Sequence, residues 1–162
     1  MKSRLLIKNP VIKNVLSAIA VAFFGFILLT FTFIFDALFQ SLVDWIVKLF
    51  TSVDFNMAWP WFPPVKHALF VVIIGLISWI VFKSKLKVLY KAIYLTVPVA
   101  TVLVTVGMFL YRWPILSYSI GSLLCIGTLY YFYRTKQHWI YYYTVILIGL
   151  TLAIFTMSGG EI

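Results

Sequence analysis

The sequence predicts an all-α integral membrane protein with five transmembrane helices, an amphipathic helix in the outer interface, its amino terminus inside and its carboxyl terminus outside. Composition is the first ground, because 64% of the 162 residues are hydrophobic, 10% are charged and the mean hydropathy is +1.06. A soluble domain built from those residues has too little polar material to cover its surface. Recurrent uncharged runs are the second ground, most of them long enough as helices to cross about 30 Å of hydrocarbon. The third is the placement of charge. Lys2, Arg4, Lys8 and Lys13 precede the first run, Lys83, Lys85, Lys87 and Lys91 separate the second from the third, and Arg134 and Lys136 separate the fourth from the fifth. Of the thirteen basic residues only Lys48, Lys66 and Arg112 fall on the other side, with all four acidic residues. Loops on the cytoplasmic side collect Lys and Arg, so this alternation orients the chain.

The first helix is expected over 14–35. A basic stretch followed by an apolar one also describes a signal peptide, but this run is too long for an h-region and lacks a small-residue cleavage site, so it reads as retained. From Asp36 to Pro64 the chain changes character. Asp36, Gln40, Asp44 and Lys48 recur every fourth residue, with Leu38, Leu42, Ile46, Leu49 and Phe50 opposite them. That is helical amphipathicity, and it predicts a helix in the outer interface with its polar stripe in water and Trp45 at headgroup depth; the simpler alternative is an extension of the first helix. Asp44 and Lys48 stand at ion-pair spacing. The following segment, 54–64, carries three prolines and predicts an aromatic outer loop.

The second helix, 65–82, is short, and Lys66 and Lys83 are expected to snorkel beside Trp61, Phe62 and Trp79. The third, 92–111, contains Pro98, which predicts a kink, with Thr96, Thr101 and Thr105 available to the freed backbone groups. The fourth, 113–133, follows across a tight outer hairpin. Its Ser117, Gly121 and Cys125 share one face, and the fifth helix, 139–158, offers Gly149 and Ala153 at the same spacing. Small residues let helix backbones approach in lipid, so these five predict close packing of the last two helices. The whole of 1–162 reads as a single membrane domain.

Chemistry is sparse. Every Asp, Glu, Lys, Arg and His sits at or beyond an expected helix end, which removes the usual marker of a proton or ion path. His67 and His138 fall at opposite membrane faces, so no shared metal is expected, and the single cysteine, Cys125, allows no internal disulfide. Asp36, Asp44 and Asp54 share the outer face and read as solvated carboxylates rather than an acid/base pair. With no phosphate loop, nucleophile elbow or metal-ligand spacing, neither catalysis nor a cofactor is expected.

Two groups remain. Trp45, Trp59, Trp61, Phe62 and Trp113, with Phe55 and Tyr111, belong near the outer surface, where they form an aromatic belt or line a pocket for an apolar ligand. Tyr131, Arg134, Lys136 and Tyr142, at the inner surface, combine phenols and cations suited to anionic lipid headgroups. The formal charge of +9 is spread over short loops beside apolar runs, so membrane lipids rather than nucleic acid are its expected partners.

Trp61-Phe62-Pro63-Pro64 at the head of the second helix resembles the Trp-x-Pro-Pro segment that opens the second helix of the tryptophan-rich sensory proteins, the bacterial translocator family. Five helices, this length and an aromatic loop after the first helix accompany it. The polar and aromatic pattern of that family's third helix is not seen in 92–111, nor are the Pro-Tyr and Trp features of its fifth in 139–158. The resemblance implies a porphyrin- or sterol-like ligand among the helices below the loop.

The expectation is a small non-catalytic accessory or structural subunit of a membrane complex, joined to another membrane protein or to itself, in a membrane of the bacterial cytoplasmic type. A hydrophobic small-molecule binder is the first alternative. An oligomeric transporter or channel component, lined by Ser117, Ser119, Ser122, Thr101 and Thr105, is the second.

Overall fold

A computed structural model describes residues 9–51, 59 and 61–157, and among these the regular structure is all helical. The helices are α1 (Pro10–Phe50), α2 (Phe62–Lys83), α3 (Val88–Phe109), α4 (Pro114–Arg134) and α5 (Trp139–Met157). All five are long and apolar enough to cross a membrane. Asp54, Phe55, Glu161, Ser158 and the basic residues before Asn9 lie outside the described residues.

Three of the helices open on proline, which supplies the helical φ where an N–H has no intrahelical partner anyway. Asn9 caps α1 by accepting the Val11 N–H at 3.0 Å. Pro63 and Pro64, read in the sequence as loop residues, begin α2 and bring Lys66 and His67 inside it, so α2 has 22 residues and no deficit of length. Lysine likewise fails to keep α3 from starting early. Lys91 is helical, and its Nζ donates to the Phe82 carbonyl across the α2–α3 turn at 2.7 Å. After α4 the chain closes in a Schellman motif, with Gln137 N donating to Phe132 O, Lys136 N to Tyr133 O, and Lys136 at a φ of 51°.

The largest departure from the expected architecture concerns α1. No separate helix begins at Asp36: one helix of 41 residues, about 60 Å long, runs through to Phe50. Neither Pro nor Gly occurs between Gly25 and Phe50 to interrupt it. The expected orientation of its polar stripe is also reversed. Leu38, Leu42, Ile46, Leu49 and Phe50 are exposed, while Asp36, Gln40 and Asp44 turn toward the bundle and Lys48 alone of the stripe stays exposed. Buried partners on α2 hold them there.

Helix α3 is the axis, in contact with the other four. Around Ala92 and Leu95 it packs Val21 of α1 with Ile140, Tyr141 and Val145 of α5; further along, Val97 meets Phe70 and Ile74 of α2. Threonines tie the helices at their closest points. Thr144 Oγ1 bonds Ile140 O at 2.9 Å and reaches Ala92 O at 3.3 Å, and Thr96 Oγ1 bonds Ile93 O at 2.7 Å and lies 3.5 Å from Gly25 O. The α3 hydroxyls therefore return to Ile93 and, from Thr105, to Thr101; neither serves the Tyr94 carbonyl that Pro98 leaves without its usual donor. Helix α4 contributes no buried residue.

Candidate functional site

Two polar pairs are buried where α2 begins. Lys66 Nζ lies 2.7 and 2.9 Å from the two carboxylate oxygens of Asp44, on the turn of α1 beside it. One residue on, the His67 ring sits between α1 and α3. Its Nδ1 is 3.5 Å from Asp36 Oδ2, and its Nε2 is 3.0 Å from Thr105 Oγ1. Gln40 donates to the same Asp36 oxygen at 3.1 Å. Lys66 and His67 are only 4% and 5% exposed. Asp36 and Asp44 therefore face the bundle rather than water, and the expectation that every ionisable group lies at or beyond a helix end is overturned.

Below this cluster is a cleft of about 580 Å³. Tyr143 of α5 shares a groove with Phe23 and Phe26 of α1 at one end of the bundle, and the cleft lies toward the other end. Buried Phe70, Ala100, Thr101, Val104 and Ile148 form its back, and exposed Phe26, Phe33 and Phe155 form its rim, so it opens sideways rather than along the helix axis. Asp36 and His67 mark its end beside the start of α2, and Thr105, the hydroxyl that meets His67, stands about one turn from the end of α3. The volume falls in the range of about 300–1,000 Å³ usual for small-molecule sites, and a mostly apolar wall with a few converging polar groups is their usual chemistry.

The five aromatics picked out by sequence lie elsewhere. Trp59 and Trp61 have ring centroids 5.1 Å apart, Phe62 meets Trp61 edge to face, and Lys66 Nζ lies 5.2 Å from the Phe62 centroid. Trp45 and Trp113 are exposed. None of the five lines the cleft. Ser117, Gly121, Cys125, Gly149 and Ala153 all line a space of about 430 Å³ among α3, α4 and α5. A Cβ on Gly149 would stand 3.3 Å from Cys125 Sγ, whereas one on Gly121 would meet Leu103 of α3 at 3.6 Å. Around the α4–α5 turn Tyr142 packs edge to face on Phe132, Tyr131 lies against the same ring, and Arg134 and Lys136 are exposed. Thr101 and Thr105, considered as lining for an oligomeric pore, belong instead to the cleft and its polar end.

Asp36, Gln40, Asp44, Lys66 and His67 were visible in the sequence as a four-residue repeat followed by two basic residues. Their meeting was not. The signal that places them together is Pro63-Pro64, which opens a helix and so sets Lys66 and His67 in its first turns, facing back along α1.

The assembly defines a five-helix bundle, apolar outside, with a polar cluster heading a lateral cleft. Comparison with family models, with curated proteins and with solved structures gives no match to the chain. The Trp61–Pro64 segment is thus unaccompanied by a family match.

Proposed function

We propose that this chain is a non-catalytic multi-pass membrane protein that binds a lipid-like amphiphile in the lateral cleft, its chain against the α1–α5 walls and its polar head at Asp36 and His67. The carrying observation is the position of a buried polar cluster at one end of an otherwise apolar, sideways-open cleft. An apolar exterior supports the membrane setting: Phe23, Phe26, Phe31, Leu123, Ile126 and Ile154 are all exposed. An apolar helix such as α4, which buries nothing in the bundle, has lipid or another protein as its natural neighbour. The basic inner turns support an amino terminus on the cytoplasmic side, and compact size with strong charge asymmetry suits a bacterial cytoplasmic membrane. With that orientation the cleft opens to the outer leaflet, polar end outward.

Native mass spectrometry of the protein extracted gently from its own membrane tests this reading. The native chain is expected to carry one defined apolar ligand, and Ala100→Phe, which fills the back of the cleft, to lose at least about nine-tenths of it, a penalty on the order of 1.4 kcal/mol. Trp61→Ala is expected to retain the ligand, since Trp61 lies outside the cleft. Equal occupancy in the native chain and Ala100→Phe, or loss in Trp61→Ala alone, overturns the assignment. A second reading, the accessory subunit, draws on the unburied surface of α4. It is favoured if the same spectra show a stoichiometric second polypeptide or a second copy of the chain and no ligand.

A further inference from the structure

We propose that the Asp36–His67 pair selects the head of the bound amphiphile, and that this head is a protonated primary amine. The inference rests on occupancy of the cleft and adds the chemistry of its polar end.

Hydrogen placement at His67 follows from its neighbour. Thr105 Oγ1 donates its single proton to the Thr101 carbonyl one turn back. It has none left for His67, so it accepts, and His67 Nε2 is the donor across the 3.0 Å contact. In the neutral ring Nδ1 then carries the lone pair. Asp36 Oδ2 lies 3.5 Å from that atom, acceptor beside acceptor. His67 Nδ1 and Asp36 Oδ1 are both buried, and neither has a hydrogen-bond partner. Gln40 supplies one donor to Oδ2 and nothing to the other two atoms.

Charge leads to the same place. Lys66 balances Asp44, leaving the His67 ring and the Gln40 amide beside the Asp36 carboxylate. Asp36 and His67 line the cleft. With the ring neutral, the pair lacks one positive charge and at least two donors, at a point where a ligand's head would lie. A primary ammonium carries one charge and three N–H donors on a single compact atom, which matches Asp36 Oδ1, the remaining lone pair of Oδ2 and His67 Nδ1. A quaternary ammonium has the charge without the donors. An alcohol has a donor without the charge. A proton held as His67 imidazolium would satisfy Nδ1 and Oδ2 but leave Oδ1 without a donor.

The test uses the full-length chain in phosphatidylcholine nanodiscs, whose lipid heads carry no N–H. Dodecylammonium, dodecyltrimethylammonium and 1-dodecanol are titrated separately, with bound ligand counted by native mass spectrometry and the His67 ring followed by ¹⁵N NMR. Dodecylammonium is expected to bind about tenfold or more tightly than either analogue, the margin of a charged hydrogen bond made in a buried site. It is also expected to shift the His67 Nδ1 resonance. The Asp36→Asn variant is expected to lose that margin and keep the binding of dodecanol. Three probes bound alike, and equally reduced by Ala100→Phe, would overturn amine selection while leaving the cleft as a binding site. No probe bound above the Ala100→Phe background would remove cleft occupancy and this inference with it. A His67 Nδ1 resonance already protonated at neutral pH without ligand, and unmoved by dodecylammonium, would assign the missing donor to a proton and overturn the proposal. The comparison of the three ligands on the native chain stands even if the Asp36 variant fails to fold.

Discussion

Lys66→Met is expected to destabilise the folded bundle by about 3 kcal/mol. The ammonium is held at 2.7 and 2.9 Å by Asp44, and its side chain is 5% exposed against 26% for the carboxylate. Removing one member of a buried ion pair leaves the other charge desolvated without its partner, which costs about 3–5 kcal/mol when burial is complete. The partial exposure of Asp44 selects the lower end. Asp44→Leu alone should cost a similar amount, because it strands a more deeply buried ammonium. Replacing both at once removes both desolvation penalties, so Lys66→Met with Asp44→Leu should recover most of the loss. Unfolding curves of the three variants in detergent, read by helical circular dichroism, give the coupling directly. Single variants as stable as the native chain would mean that the pair is hydrated and that α1 and α2 are held by apolar contacts alone.

Gly25→Val is expected to cost about 2–3 kcal/mol by forcing α1 away from α3. A Cβ at Gly25 would stand 2.6 Å from Thr96 Cγ2, and Thr96 is fully buried, so the methyl has nowhere to retreat. Gly25→Ala tests the same contact more finely. Alanine gains about 1 kcal/mol of helix propensity over glycine, which offsets part of the clash and leaves a net loss of about 1 kcal/mol. Thr96→Ser deletes the offending methyl and keeps the hydroxyl that bonds Ile93 O at 2.7 Å. With Thr96→Ser in place, the clash is gone and the propensity gain should make Gly25→Ala neutral or stabilising. A sign that does not change with the serine would place the closest α1–α3 approach elsewhere.

This contact and the polar cluster share a feature that explains their absence from the sequence reading. Gly25 lies in an uninterrupted apolar run, with no local pattern to distinguish it from Gly75, around which a Cβ would meet nothing. Spacing with small neighbours distinguishes Gly121 and Gly149 instead, where a Cβ would meet Leu103 of α3 at 3.6 Å and Cys125 of α4 at 3.3 Å. Spacing along one helix describes a face. It carries no information about how closely another helix approaches that face.

The same limit governs the α1 stripe. Asp36, Gln40 and Asp44 at four-residue intervals determine that one side of the helix is polar, and period alone makes that legible. Whether the polar side meets water or protein depends on where a segment more than twenty residues away comes to rest. A stripe in water and a stripe against Lys66 and His67 have the same sequence signature. What separates them is that Pro63-Pro64 starts α2 early, setting two basic side chains opposite two carboxylates.

By itself the sequence determined the helical class, the number of long apolar helices and most of their boundaries to within a few residues, because chain length and local hydropathy are properties of contiguous residues. Tertiary structure alone decided that α3 is the axis, and that Asp36 meets His67 at the end of a lateral cleft. Those outcomes follow from which apolar faces find one another. In a chain whose exterior is as apolar as its core, hydropathy cannot distinguish a face that packs from a face left exposed.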